Sequence, residues 1–258
     1  MGTWRRFIIV MCVFFLVSSE LYSKVNLDDP INFHVDTIRY SYSGNFKALI
    51  SVPIPIKTHP QPDKYPVIIY NYDEYYDMLG PKASLKRGYD ILAFMRKFNE
   101  WGYACIVPMD RFRKVHAING ALDYVMSDPR FDHDQVHMIG HSEGAFLGLF
   151  TIKEFPNIRS MILLAPNNLY SSGRVSLSNL LREHKQIDVP MLMLGASKSK
   201  GYRRQNEKIV YRVLKQLQPD LAYLGYGVNP RWYFNTKHLF MKEVNDFLYR
   251  NSGPRKDN

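Results

Sequence analysis

Short, continuous apolar runs alternate along this chain with longer stretches in which apolar residues recur every three or four positions. Apolar runs of four to eight residues are typical of strands covered on both faces, and the second pattern is typical of helices. The runs predict strands at residues 66–70, 103–107, 136–139, 159–164, 189–194 and 221–226, after two earlier strands at 31–40 and 48–56. The helical spacing covers residues 84–101, 115–125, 207–217 and 239–248. This alternation predicts an α/β fold with a mostly parallel sheet of about eight strands and helices on both faces.

The length and the N-terminal pattern predict one exported domain. The chain has 258 residues, of which 46% are hydrophobic, which suits a single large domain at residues 24–250. Before it, Arg5 and Arg6 precede an apolar run at 7–17 and then small residues. This pattern is typical of a signal peptide spanning residues 1–23 and predicts a secreted, periplasmic or cell-envelope protein. The alternative is a membrane anchor at residues 7–17. We also expect a lid at 167–188 and a polar tail at 251–258.

The chain is basic, with a formal net charge of +10. Its basic residues are spread along the sequence, so we expect no nucleic-acid partner. One modest cluster contains Lys198, Lys200, Arg203 and Arg204 and is interpreted as a solvated face. Association with an anionic envelope surface or an acidic substrate is the alternative. The sequence does not predict the oligomeric state.

The pattern G-x-S-x-G lies between a predicted strand and a predicted helix. Gly140, Ser142 and Gly144 follow the apolar run at 136–139, and an apolar helix begins directly after them. This order is the one found in a nucleophile elbow, a tight turn that presents a serine hydroxyl above the end of a strand. We expect the two glycines because strand and helix backbones approach closely there. Ser142 is the predicted nucleophile.

The chain resembles the α/β-hydrolase superfamily, in particular its dienelactone-hydrolase-like and prolyl-oligopeptidase-like branches. The resemblance rests on the elbow IGHSEGA and on the weaker matches PVIIYN, GYACIVPMDR and VPMLMLG, followed by a late histidine. It implies the α/β-hydrolase fold and a serine hydrolase that needs no metal or organic cofactor. It also implies that His238, between the last strand and the last helix, is the base that activates Ser142. We interpret His141 as a packing residue, and the group Asp132, His133, Asp134 and His137 as ordinary polar residues with no metal site.

The groups that would stabilise an oxyanion and orient the histidine depart from the superfamily pattern. One oxyanion donor should be the backbone N–H of Glu143. The second should be the backbone N–H of Tyr72 or Asp73, or the Tyr72 hydroxyl, as in cocaine-esterase-like and X-prolyl-peptidase-like enzymes that carry a similar Tyr-Asp pair. Relatives place an acid after the strand at 189–194, but this loop has no carboxylate. The remaining candidates for orienting the imidazole are Asn167, Asn168 and Asp220.

Two functions fit these residues. The first is a secreted or envelope serine hydrolase that cleaves a carboxylic ester, or an amide, of a small molecule or short peptide through an acyl-enzyme on Ser142. The second is a catalytically impaired hydrolase fold that serves as a binding or interaction protein. The missing acid and the altered oxyanion loop favour the second, whereas the presence of both Ser142 and His238 favours the first.

Overall fold

A computed structural model describes residues 33–54, 62–110, 112–167 and 176–252 of the chain. The predicted signal peptide, with the alternative anchor at 7–17, lies outside these residues, as do Asn168 and most of the polar tail. In the described ranges, every helix is too short or too polar to cross a bilayer.

Within the residues that the structure describes, eight strands form one sheet, as the sequence pattern predicts. In spatial order they are β1, β2, β4, β3, β5, β6, β7 and β8. The first two pair antiparallel with their neighbours, and the other six are parallel. Their bounds are β1 Asp36–Ser41, β2 Asn45–Ser51, β3 Tyr65–Asn71, β4 Ala104–Pro108, β5 Phe131–His141, β6 Ser160–Leu164, β7 Met191–Ala196 and β8 Ala222–Tyr226.

Seven helices in the described ranges cover both faces of this sheet. They are α1 Glu74–Lys86, α2 Ile91–Glu100, α3 Lys114–Ser127, α4 Glu143–Gly148, α5 Leu177–Glu183, α6 Tyr202–Leu217 and α7 Phe240–Asn251. Buried residues of α3, α4, α5 and α6 share one hydrophobic cluster with one face of the sheet, and those of α2 and α7 share a second cluster with the other face. The predicted architecture is therefore confirmed.

The helix predicted at 84–101 is two helices. Gly88 has a φ of +84°, a conformation that favours glycine, and it separates α1 from α2. Ser84, the first residue of the predicted helix, therefore lies inside α1. The N-cap of α2 is Asp90, whose side chain accepts a hydrogen bond from the N–H of Leu92 at 2.9 Å. The sequence pattern missed α1 because this helix is kinked at Gly80 and has few buried residues.

The described half of the segment predicted as a lid contains α5. Leu177 and Leu180 on this helix are buried in the same cluster as α6. Residues 168–175 lie outside the described ranges, so the lid stays a prediction.

Candidate active site

Ser142 occupies the sharp turn between β5 and α4. Its backbone has φ 52° and ψ −114°, a strained conformation for any residue with a side chain, costing roughly 1–3 kcal/mol. The two glycines of the motif have the predicted role. A Cβ at Gly140 would lie 2.3 Å from the Cα of Ala145, and a Cβ at Gly144 would lie 2.3 Å from the carbonyl oxygen of Asn71. The elbow therefore requires both glycines.

Backbone hydrogen bonds hold this turn in place. The N–H of Ser142 donates to the carbonyl of Leu164 at 2.8 Å, and its carbonyl accepts from the N–H of Asn167 at 3.1 Å. Both partners lie at the end of the neighbouring strand β6. The Ser142 side chain is fully buried, and its hydroxyl has no hydrogen-bond partner among the described residues. The turn thus presents an unpaired, buried hydroxyl.

A carboxylate of the chain itself lies against the predicted oxyanion donor. Oε2 of Glu74 accepts from the N–H of Glu143 at 3.4 Å, while its Oε1 pairs with the Arg203 guanidinium at 2.9 Å. Burial raises the pKa of Glu74, but the Arg203 guanidinium more than offsets this effect, so the pKa is lowered. An ionised carboxylate therefore lies against the predicted oxyanion donor.

The candidate second donors are also engaged. The N–H of Asp73 donates to the hydroxyl of Tyr89 at 2.8 Å, and the Tyr72 hydroxyl donates to Asp77 at 2.8 Å. Asp73 caps α1 by accepting from the N–H of Tyr75 at 2.7 Å. Burial and the neighbouring Glu74 hold the pKa of Asp73 well above its usual range. Of the predicted donors in this loop, the N–H of Tyr72 is the remaining candidate.

Lys114 connects helix α1 with the elbow helix α4. Its ammonium lies 2.9 Å from Asp77 on α1 and 3.0 Å from the Glu143 side chain on α4. It also lies 4.6 Å from the centre of the Tyr72 ring. Burial lowers the pKa of Lys114, but the two carboxylates outweigh burial and raise it, so the ammonium stays charged. The loop after β3 and the elbow helix are therefore held together by a buried ion-pair network.

His238 is not hydrogen-bonded to Ser142. Its Nδ1 lies 2.7 Å from the carbonyl oxygen of Trp232, and its ring stacks on the Trp232 indole at 4.7 Å between centroids. Because a carbonyl oxygen can only accept, Nδ1 carries the proton, and Nε2 of the neutral ring is unprotonated. This is the tautomer that a general base needs. In this conformation, however, the predicted base is not hydrogen-bonded to the predicted nucleophile.

The three candidates for orienting the imidazole have different locations. Asn167 is buried after β6, and its side-chain amide has no hydrogen-bond partner among the described residues. Asn168 lies outside the described ranges. Asp220 precedes β8, which is parallel to β5, whereas Ser142 follows β5. Asp220 therefore lies at the amino ends of the strands, and Ser142 lies at their carboxyl ends. Asp220 is therefore placed outside the site.

A pocket of about 250 Å³ is lined in part by Arg203, the ion-pair partner of Glu74. Arg203 and Arg231 contribute its positive charges, and its lining residues are Asp73, Tyr75, Arg203, Asn229, Pro230, Arg231 and Phe234.

Phe234 also packs on His141, with 5.2 Å between ring centroids. His141 is fully buried, and burial lowers its pKa to about 4, which agrees with the predicted packing role. In the described ranges, no three potential metal ligands form a cluster.

Sequence reasoning missed Glu74 and Lys114 as site residues and assigned Arg203 to a solvated face. The position of Glu74 in the sequence could have identified it, because it follows the carboxyl end of β3. The elbow follows the carboxyl end of β5, on the same side of the sheet. Arg203 and Lys114 carried no comparable signal. Each meets its partners only through the packing of separate helices.

Solved structures of hydrolases share this fold. Carboxyl esterase 2 from the fungus Tuber melanosporum is 13% identical, with a TM-score of 0.61 over 88% of this chain and 90% of that chain. An esterase from Pseudomonas putida is 12% identical, with a TM-score of 0.62 over 93% and 89%. Dipeptidyl peptidase 4 from Porphyromonas gingivalis is 14% identical, with a TM-score of 0.63 over 85% of this chain and 36% of that chain. No protein-family model and no curated protein match the chain. The chain thus has the α/β-hydrolase fold.

Proposed function

We propose that the chain is an exported serine hydrolase that cleaves a carboxylic ester or amide through an acyl-enzyme on Ser142. The observation that carries this proposal is the strained backbone of Ser142 between two glycines that no other residue could replace. Strain of this kind persists only where the surrounding structure enforces it, and it is concentrated at functional sites. The esterase and peptidase neighbours support the same class of reaction.

In this proposal, the Ser142 hydroxyl attacks the substrate carbonyl carbon and transfers its proton to Nε2 of His238. The Trp232 carbonyl supports this role, because it holds the proton on Nδ1 and so takes the place of the missing acid. The oxyanion forms at the N–H of Glu143, and His238 then protonates the leaving group. Water, deprotonated by the same ring, then attacks the acyl carbon; the bond from this carbon to Oγ of Ser142 breaks, His238 returns the proton to Oγ, and the acyl group leaves as a carboxylic acid.

Two movements must precede this reaction. The carboxylate of Glu74 has to leave the N–H of Glu143, because it would repel the oxyanion. The loop that carries His238 has to bring Nε2 to the buried hydroxyl. The described conformation is therefore a resting state, and the substrate class we propose is a small-molecule ester or a short peptide.

The second candidate function is a binding protein without catalysis. It is favoured by the contact between Glu74 and the N–H of Glu143 and by the absence, among the described residues, of a hydrogen-bond partner for the Ser142 hydroxyl.

Hydrolysis of 4-nitrophenyl acetate and of short peptide 4-nitroanilides separates the two candidates. We expect turnover of at least one substrate class by the wild type and its loss in Ser142→Ala. Ser127→Ala, which removes an exposed serine hydroxyl on α3, is the matched control and should leave turnover unchanged. Equal rates in the wild type and in Ser142→Ala would favour the binding protein.

A further inference from the structure

One short segment contributes more than half of the formal net charge of the chain. Residues 197–217, the turn after β7 and helix α6, contain seven lysines and arginines but one acid, and so contribute six of the ten net positive charges. Such an asymmetry indicates an anionic partner more strongly than an evenly basic surface would.

The positive charges of this segment are mostly exposed, whereas its negative charge is buried. The single acid of the segment, Glu207, is buried and accepts a hydrogen bond from the N–H of Ala196 at 3.1 Å. Arg203 pairs with Glu74 in the site described above. Five other basic side chains are exposed and form no hydrogen bond or ion pair with another described residue: Lys198, Lys200, Arg204, Lys208 and Arg212.

Apolar side chains lie on the same exposed face of α6. Tyr202 and Ile209 are seven residues apart, which places them in one row on a helix, and they are 62% and 46% exposed. Arg212 and Lys208 flank this row, whereas Val210 and Leu214 on the other side are buried in the core. Because Tyr202 and Ile209 are exposed, no described element covers this face of α6, and the strand that follows α6, β8, is the last in the sheet.

We propose that this face of α6, with Lys198 and Lys200, docks on a membrane surface rich in anionic lipids. Basic side chains beside an exposed tyrosine and isoleucine are the combination found on helices that lie at the lipid interface, where the charges meet headgroups and the apolar ridge enters the acyl boundary. A nucleic acid would use the charges but leave Ile209 without a partner. The inference is independent of the catalytic proposal.

The test reports contact at the helix itself, so that the N-terminal apolar segment does not confuse the result. An environment-sensitive dye is attached at Gln205→Cys, on the exposed face of α6, or at Thr37→Cys, on β1 at the opposite edge of the sheet. Both full-length proteins carry Cys12→Ser, and Cys105 is buried. We expect a blue shift with vesicles of phosphatidylcholine and phosphatidylglycerol for the α6 dye alone, and no shift with pure phosphatidylcholine. A shift of equal size at both positions would contradict the proposal.

Charge-reversal pairs give the matched comparison. Lys208→Glu with Arg212→Glu should weaken vesicle binding about tenfold or more, because each charge near an anionic surface contributes to binding. Arg39→Glu with Lys47→Glu makes the same change in net charge on neighbouring exposed positions of β1 and β2 and should leave binding unchanged. Hydrolysis of soluble esters should be the same for both pairs. Equal weakening by both pairs, or tighter binding of duplex DNA than of vesicles at the α6 face, would overturn the assignment.

Discussion

The turn that carries Ser142 and the segments that surround it lie at the carboxyl ends of the parallel strands, but they are in different states. The turn has the backbone of a nucleophile elbow, with two glycines packed against neighbouring backbone. Around it, Glu74 contacts the N–H that would stabilise the oxyanion, and His238 is hydrogen-bonded to Trp232. In the proposed reaction, the turn already holds the nucleophile, whereas the groups that would assist it have other partners.

This difference shows which parts of a hydrolase site are fixed by local structure. The elbow follows from three residues and the strand and helix beside them, so its geometry is independent of the rest of the site. The assisting groups lie on segments from distant points of the chain, such as the first turns of α1 and α6 that carry Glu74 and Arg203, and each ion pair or hydrogen bond there can be exchanged for another. We therefore expect changes in the turn to affect folding and changes in the loops to affect reactivity.

Gly144→Ala should have the largest effect on the turn. Its Cβ would lie 2.3 Å from the carbonyl oxygen of Asn71, a backbone atom that cannot move without displacing β3. We expect the free energy of unfolding to fall by about 3 kcal/mol or more in urea titrations. Gly227→Ala, where a Cβ would meet no atom within 4 Å, is the control and should be nearly neutral. Equal stability of the two variants would show that the elbow tolerates a side chain.

Glu74→Gln tests the surroundings of the turn and not the turn itself, because it changes the first residue of α1. It keeps the shape of the side chain but removes the negative charge beside the N–H of Glu143, so the reaction with carbonyl substrates should accelerate about tenfold. The measurement is kcat/KM for 4-nitrophenyl acetate. Glu100→Gln, which removes an acid paired with Lys97 on α2, should leave the rate unchanged. A slower Glu74→Gln enzyme would show instead that this carboxylate assists Ser142.

Asp73→Asn should raise stability in a pH-dependent way. Because burial raises the pKa of Asp73 in the folded state, the folded protein favours the protonated form, and its contribution to stability is lost as pH rises through this pKa. Asparagine is neutral at every pH and keeps the oxygen that caps α1. We expect the variant to be about 1 kcal/mol more stable than wild type at pH 8 and no more stable below about pH 4. An advantage that does not change with pH would contradict the raised pKa.

The smallest expected effect is the release of strain at Ser142. Glycine adopts a positive φ at little cost, whereas alanine keeps the Cβ that makes this conformation unfavourable. Ser142→Gly should therefore be about 1 kcal/mol more stable than Ser142→Ala in the same unfolding experiment. If alanine is as stable as glycine, the backbone at this position stores no strain.

Most of the fold could be predicted from the sequence because each buried strand is a continuous apolar run. The predicted strand at 103–107 and helix at 239–248 differ by three residues or fewer from β4 and α7 at each end. Helix α1 could not be predicted in this way, since it has two buried residues and a kink. The pattern carries no information where a helix is held by ion pairs rather than by an apolar face.

The candidate site could be predicted only in part, because only some of its residues are close together in the sequence. Ser142 and its glycines are adjacent in sequence, so their pattern identifies them. The pair between Glu74 and Arg203 joins residues 129 positions apart, and no local pattern connects them. His238 has the expected place in the chain order, but chain order does not determine which neighbour its ring contacts. Tertiary packing decides these contacts.

Labelling with a fluorophosphonate probe, followed by mass-spectrometric mapping of the modified residue, tests most directly whether the elbow presents a reactive nucleophile. The account predicts a single adduct on Ser142 in the wild type, faster labelling in Glu74→Gln, and no adduct in Ser142→Ala. If the folded wild type and the folded Glu74→Gln variant both fail to react, the strained turn does not hold an activated serine, and the hydrolase proposal is wrong.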